Sequence, residues 1–590
     1  MSPAAWVTLA VLIGMILVLV RERLETTAAL VGAVGLLLVF GVLTPERALA
    51  GLASPAVAVV GLFSLLVLPL SRSGFLARVS AWLFHRFQLP PPVAAHSLRA
   101  LAPVVFLSAF VANTPVVASL IPTVRQWARR NGMAPSRVLM SLSFAAILGG
   151  TCTLIGTSTN LAVHGLLLAH GLEGLGFFEI GRIGLPVALL GLLFLRLAGP
   201  RLLPDRLDPL DALERNPREY LARLQVVDPS RLPGPRVGDF RRLPRLFLVA
   251  VERGHERHSP ANPDLLLQRG DVLVFAGQVS TIAEMAQTPG LAPAAEADDE
   301  PLDRLERQGY LVEAVVSPSS PLLGKTIRDA NIRGRYDAVV LGVHRHGERI
   351  PGRIGDVVIR AGDTFLLLVG RDFLTRHRYS QDFYLVSHAG DVRHPMSTAV
   401  WLDPAVLVLV VALAALGVLP LLSAAALGVV LLLVLRRLQT DELLAGLPLG
   451  TLMIIAASVA LSNAVEDSGL AAVVVRFLKN AGSGMGQFGV IALLVGATAL
   501  LTEVLTNVAA ASLAFPVAMQ LAIQSNLDPR VLAMAVAVAA STSFLTPIGY
   551  HTNAMVAGPG GYTAKDFLRF GAPLKWLAVG VLILLTHFYS

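Results

Sequence analysis

Apolar residues fall in long runs along most of this chain, not in the short alternating patches of a soluble domain. Runs long enough to cross a bilayer, or nearly so, cover about 4–20, 26–43, 52–70, 98–124, 137–167 and 178–198. After a polar interval they resume at about 402–419, 421–435, 449–465, 486–524, 531–558 and 571–588. Each half thus reads as three plain spans, a long run, a second long interrupted run and a final span. The long runs carry Pro103, Pro115 and Pro122 in the first half and Pro516 in the second. Proline removes a backbone donor and breaks a straight helix, so these runs are expected to be re-entrant hairpins. The apolar run from Ala4 to Val20 has no basic residue before it and no small-residue cleavage site after it, and Arg21 to Arg23 follow directly. It reads as a first transmembrane helix, not a secretory leader.

The halves match in sequence. "NTPVVASLIP" (Asn113 to Pro122) aligns with "NVAAASLAFP" (Asn507 to Pro516), and "LIGTSTNLAV" (Leu154 to Val163) aligns with "PIGYHTNAMV" (Pro547 to Val556). The order is the same and the offsets, 394 and 393, are nearly equal. A whole architectural unit is repeated.

Charge sharpens this picture. The chain has 590 residues, 54% hydrophobic and 15% charged, against about 25% charged in soluble domains. Residues 201–393 hold 27 basic and 27 acidic residues, so the net charge of +8 lies entirely on the apolar part. No basic face stands apart from the spans, which argues against a nucleic-acid partner. If each hairpin returns to its own side and the first span runs inward, 16 basic residues fall inside: Arg21, Arg23, Arg72, Arg78, Arg86, Arg99, Arg125, Arg129, Arg130, Arg137, Arg196, Arg436, Arg437, Lys565, Arg569 and Lys575. Only 5 fall outside: Arg47, Arg182, Arg476, Lys479 and Arg530. The rule that cationic loops stay in the cytoplasm then puts both termini outside and the polar interval inside. The halves become oppositely oriented, the plan of many secondary transporters. The single cysteine, Cys152, excludes a disulfide framework and reads as a small buried hydrophobe.

Irregular backbone at membrane depth survives only when buried in protein or lining a wet cavity, so residues at the breaks are the candidate site. The first hairpin tip carries Ser108, Ala112, Asn113 and Thr114, and the later break carries Gly156 to Asn160. The second half offers Thr502, then Thr506, Asn507 and Val508, and then Gly549 to Asn553. Hydroxyls, amide oxygens and freed carbonyls are the hard ligands a small alkali cation prefers, and half-helix N-termini can hold an anion. The competing reading is that these residues only cap helix breaks. Glu503 is either a ligand or a residue that positions the tip, and Glu466 and Asp467 read as interfacial.

The paired tips and the "IGT..N" and "PIGY.TN" breaks resemble the divalent anion:sodium symporter family over both membrane halves. The resemblance implies a scaffold and a transport domain, a homodimer and an elevator motion. It implies one sodium site from Ser108, Asn113 and the carbonyls of Ala112 and Gly156, and another from Thr502, Asn507 and the carbonyls of Thr506 and Gly549. It implies an anion site faced by Asn113, Thr114, Thr157, Ser158, Asn507, Val508, Tyr550 and His551. Ala112 stands where the family has Ser and Val508 where it has Thr, departures that disfavour dicarboxylates. "TPIGY" with "GPGGY" (Gly558 to Tyr562) is closer to the sulfate-permease branch. Sodium ions are the only cofactors implied.

The interval from Leu203 to about Pro395 reads as short strands separated by Gly- and Asp-bearing turns: "RLFLVAVERG", "GDVLVFAG", "YLVEAVVSP", "YDAVVLGVHRHGE" and "GDTFLLLVG". It is itself duplicated, since "LLLQRGDVLVFAG" (Leu265 to Gly277) matches "VVIRAGDTFLLLVG" (Val357 to Gly370). The stretch Leu291 to Pro301 reads as an exposed linker, and His344 and His346 read as surface residues. "SPLLGKTIRDANIRGRYDAVVLGVHRHGE" (Ser320 to Glu348) resembles a TrkA C-terminal domain, and the resemblance implies two such modules serving regulation by a small cytosolic ligand or simple packing.

The expected fold is therefore a polytopic α-helical membrane protein. It has an inverted repeat with two re-entrant hairpins, elevator-type, and a cytoplasmic α/β insert. The expected domains are a first membrane repeat at 1–200, TrkA-C-like domains at 201–292 and 300–395, and a second, inverted repeat at 396–590. The expected function is sodium-coupled symport of a small divalent anion, sulfate first, across the plasma (inner) membrane. The alternatives are a dicarboxylate or other oxyanion carrier, a transporter-like anion sensor, a gated channel, or coupling to protons. No nucleophile–base arrangement or phosphate loop suggests an enzyme, and the sequence has no repeated selectivity-filter segment.

Overall fold

The computed structural model describes residues 1–21, 24, 26–73, 75, 79, 98–131, 133–206, 221–232, 236–237, 246–254, 256–258, 264–277, 290–293, 310–317, 320–345, 348–350, 354–369, 373, 382–388, 401–547 and 549–590. His346 and all of residues 294–309 lie outside the described residues.

The apolar runs are helices sharing one continuous apolar core. Among the described residues, four are long and apolar enough to cross a membrane: Gly181–Leu202, Leu449–Asp467, Asn507–Ser525 and Ala564–Tyr589. Shorter apolar helices include Pro3–Leu19, Thr26–Val39, Pro55–Leu70, Leu402–Ala415 and Leu421–Val434. The opening helices of the two halves interleave, with Thr26–Val39 against Leu449–Asp467 and Pro55–Arg72 against Leu421–Val434. Arg437 forks onto the buried Asp403 with both bonds at 2.7 Å, which satisfies a carboxylate that the apolar core could not hold alone.

Each long run is two helices with a gap. Leu98–Phe110 is followed by Asn113–Arg130, and Gly486–Leu501 by Asn507–Ser525. Further on, Leu139–Gly150 precedes Ser158–Ala169, and Pro529–Ser541 precedes His551–Ala557. The prolines expected to cause these gaps do not. Pro103, Pro122 and Pro516 lie inside helices, and Pro115 sits in the first turn of its helix, where no donor is needed. The gaps fall instead where Ser, Thr and Asn side chains take over the backbone's hydrogen bonds.

In each half the last helix presses a glycine onto the second gap. A methyl on Gly184 would lie 1.9 Å from the Thr151 carbonyl oxygen, and one on Gly571 would lie 2.0 Å from that of Phe544. Thr151 and Phe544 are themselves 393 positions apart, so the same close approach supports both gaps.

The polar interval folds as two five-stranded antiparallel sheets. The first contains β1 (Leu221–Val226), β2 (Leu246–Arg253), β3 (Glu256–His258), β4 (Val272–Gly277) and β5 (Leu291–Pro293), in the order β3-β2-β4-β1-β5. The second contains β6 (Tyr310–Val316), β7 (Ala338–Arg345), β8 (Glu348–Arg349), β9 (Thr364–Val369) and β10 (Phe383–His388), in the order β10-β6-β9-β7-β8. Order and pairing are the same in both. Each also carries the same brace: Arg253 forks onto Asp271 and the Leu266 carbonyl, and Arg345 onto Asp363 and the Val358 carbonyl. Two expectations fail here. Leu291 to Pro293 is not exposed linker but an edge strand paired with β1, its Leu291 filling the first sheet's core. His344 is buried, because β7 is a central strand covered on both sides.

Gly184→Ala and Gly571→Ala should each lower the thermal midpoint of purified protein by several degrees, as overpacking costs about 1–3 kcal/mol. Gly580→Ala, in the same helix as Gly571 but with open space around it, should leave the midpoint unchanged.

Candidate functional site

At the first tip, Ser108 Oγ donates to Asn113 Oδ1 at 2.5 Å, both side chains being buried. Asn113 Nδ2 donates to Tyr550 Oη at 2.5 Å, and Thr157 Oγ1 lies 3.5 Å from the same oxygen. Tyr550 belongs to the second half's gap, so it ties that gap to the first half's tip. Gly150 leaves room for the Asn113 amide, which a methyl here would meet at 2.8 Å. Gly156 is buried, and its missing side chain would collide with the Gly150 carbonyl.

The second tip repeats the pattern with a difference. Thr502 Oγ1 lies 2.9 Å from Asn507 Oδ1 and 2.5 Å from the Ala540 carbonyl oxygen. One hydroxyl has one proton and cannot donate along both lines. As assigned, Asn507 Nδ2 is buried without a partner among the described residues. Turning the amide over resolves both faults. Nδ2 then donates to Thr502, Thr502 donates to Ala540, and Oδ1 becomes a buried acceptor with no donor, as a cation ligand requires. Thr506 caps this helix by accepting from the Ala509 N–H.

The remaining candidates divide by exposure. Thr114 and Ser158 are half-buried in the first turns of their helices, Gly549 is half-buried in the second gap, and Ala112 and His551 are exposed at the edges. Val508 is not on an open surface but in the apolar core.

Two asparagines of the break motifs have a role the residue types alone did not specify. Asn160 Nδ2 donates to the carbonyls of Gly150 (3.0 Å) and Thr153 (2.8 Å), and Asn553 Nδ2 to those of Ser543 (3.0 Å) and Thr546 (3.2 Å). All three pairs of positions are 393 apart, so each gap is closed by the same stitch. Ser143, which carried no signal in the sequence, sits 2.8 Å from both Thr552 Oγ1 and Asn553 Oδ1 and joins the halves from the other side.

Lys575 was counted above as a loop charge facing the cytoplasm, and that is wrong. Its side chain is fully buried, with Nζ 2.6 Å from Glu503 Oε1, 3.1 Å from the Thr542 carbonyl and bonded also to the Ala499 carbonyl. Glu503 in turn accepts from the N–H groups of Phe544 (3.1 Å) and Leu545 (3.2 Å) and from Thr546 Oγ1 (3.2 Å). The carboxylate is therefore a strut under the second gap, satisfied by five donors when Ser543 at 3.4 Å is included. A lysine within an apolar run was the signal available for it. The pair is neutral overall, so it adds no net charge to hold an anion.

Hydroxyls and amides thus converge at paired helix gaps inside an apolar helical body. The family model described as "Citrate transporter" matches residues 15–539 and 490–590, and the chain belongs to that family. It is 36% identical to a protein of Chlamydomonas reinhardtii named as a sulfur deprivation response regulator, over 97% of this chain and 99% of the other. It is 31% identical to an uncharacterized transporter of Synechocystis, over 98% and 97%. It is 26% identical to sodium/sulfate cotransporter 1 of C. reinhardtii, over 82% and 78%.

Glu503→Gln should be among the most damaging single changes, since it strands a buried ammonium at a cost of about 3–5 kcal/mol. Lys575→Met combined with Glu503→Gln should recover much of the lost thermal midpoint. A double variant no more stable than Glu503→Gln would show that the pair is not a mutual brace.

Proposed function

We propose that this protein is a sodium-coupled symporter of a small divalent anion, sulfate first. The observation that carries the reading is the matched pair of tips, Ser108 with Asn113 and Thr502 with Asn507. In this reading one sodium sits among Ser108, Asn113 and the carbonyls of Ala112 and Gly156. A second sits among Thr502, Asn507 and the carbonyls of Thr506 and Gly549. The anion lies between them, against Thr114, Thr157, Ser158, Tyr550 and His551. The relative named as a sodium/sulfate cotransporter supports this choice of ions.

Coupling then follows from charge. Moving a bare dianion into a low-dielectric site costs on the order of tens of kcal/mol. The proposed anion surface offers only neutral donors, so the cations have to arrive with the substrate. The rest of the reading is the membrane plan: inverted halves in the plasma (inner) membrane, termini outside, two chains per assembly, and an elevator motion of the gapped helices. The two sheets then face the cytoplasm as TrkA-C-like modules that a small ligand can regulate.

A second reading has its own support. The relative named as a sulfur deprivation response regulator favours a protein that binds the anion in order to report it. Uptake of labelled sulfate into proteoliposomes separates the two. The symporter predicts accumulation driven by an inward sodium gradient, competed by thiosulfate and molybdate but not by succinate or citrate. Sulfate binding without accumulation would establish the sensor instead. Asn113→Ala and Asn507→Ala should each raise the sodium concentration for half-maximal uptake about tenfold or more, the effect of losing about 1.4 kcal/mol of cation binding. Wild-type sodium dependence in either variant removes that residue from its proposed cation site.

A further inference from the structure

The second sheet grips both helices that frame the candidate site. The strand β6 shows why. Its Val312, Ala314 and Val316 fill the sheet's own core, while the alternate residues point the other way. On that outer side Val315 belongs to the apolar core of the membrane helices, and Glu313 meets Arg125 at 2.5 Å with both side chains almost wholly buried. Arg125 lies on the Asn113–Arg130 helix, whose first residue is the tip asparagine. Twelve residues separate the two, about 18 Å of helix. The strand β10 packs against the same helix.

The second grip is on the other gap. Thr364 of β9 is buried against Gly558, where a methyl group would come within 1.6 Å of its hydroxyl oxygen. The turn at Gly362 faces Ala554 in the short helix that begins at His551. In the first sheet the backbone bond from Val226 to Asp271 matches that from Val316 to Asp363, so Gln225 stands where Val315 does. Gln225 is only half-buried. Among the described residues, the outer face of the second sheet is an interface with the helices.

We propose that occupancy of the site and docking of the second sheet are one coupled equilibrium, transmitted along the Asn113 helix. The inference rests on the symporter reading only in taking sodium and sulfate as the ligands. A buried ion pair is a weak source of stability but a strict contact, because separating its two charges in a buried interface is costly. It therefore has two well-separated arrangements, docked and undocked, rather than a continuum. A ligand that fixes Asn113 and Tyr550 favours the docked one. By linkage, undocking then weakens the ligand by the same factor.

The test uses the full-length protein in detergent with sodium sulfate, followed by hydrogen–deuterium exchange and by calorimetric sulfate binding. Saturating sodium and sulfate should slow exchange in 310–316 and 364–369 about fivefold or more, the lower end of ordinary coupling. Exchange in 221–226 of the first sheet should not change. Glu313→Gln and Gly558→Ala should both weaken sulfate binding by a similar factor, and Arg125→Met with Glu313→Leu should bring it back. Sulfate that binds with no change in exchange at 310–316, or binds Glu313→Gln as tightly as wild type, overturns the coupling and leaves the symporter reading intact. Absence of any sulfate binding in wild type overturns both.

Discussion

Everything in this protein depends on how backbone groups freed at helix gaps are satisfied inside an apolar body. A gap at membrane depth exposes carbonyls and N–H groups that lipid cannot solvate, each costing several kcal/mol if left bare. Asn160 and Asn553 answer this in the two halves with one stitch each, bridging carbonyls on either side of their gap. The glycines Gly184 and Gly571 let the closing helices lie directly on the same backbone. The backbone on either side of each gap is thereby fixed in place.

The halves share this plan but differ in how they stiffen it. The first gap is held by neutral groups, with Thr153 reaching back to the Ala109 carbonyl. The second has a buried carboxylate in the position following Thr502, held by Lys575 from the last helix. Tyr550 and Ser143 then cross between halves, so the first tip cannot shift without the second half's gap. The site is a joint product of both repeats.

The sequence made the helical body, the paired tips and the strand-rich interval legible, because apolar run length and repeated "N…P" and "IG..TN" segments are direct readouts of burial and of backbone breaks. The cause of the breaks was not legible. Prolines are conspicuous, yet Pro103, Pro122 and Pro516 sit within helices, while the gaps follow Ser108 and Thr502. Lys575 was misread because a charge near the end of an apolar run looks interfacial until its partner is known, and Glu503 lies 72 residues away. His344 was misread because two-sided burial of a central strand depends on what covers it.

The central claim is that cation and anion bind as one linked set. Its most direct measurement is the sulfate dissociation constant of the purified protein by calorimetry across a range of sodium concentrations at constant ionic strength. The account predicts that affinity rises steeply with sodium, with a log–log slope approaching two. A sulfate affinity indifferent to sodium would contradict it.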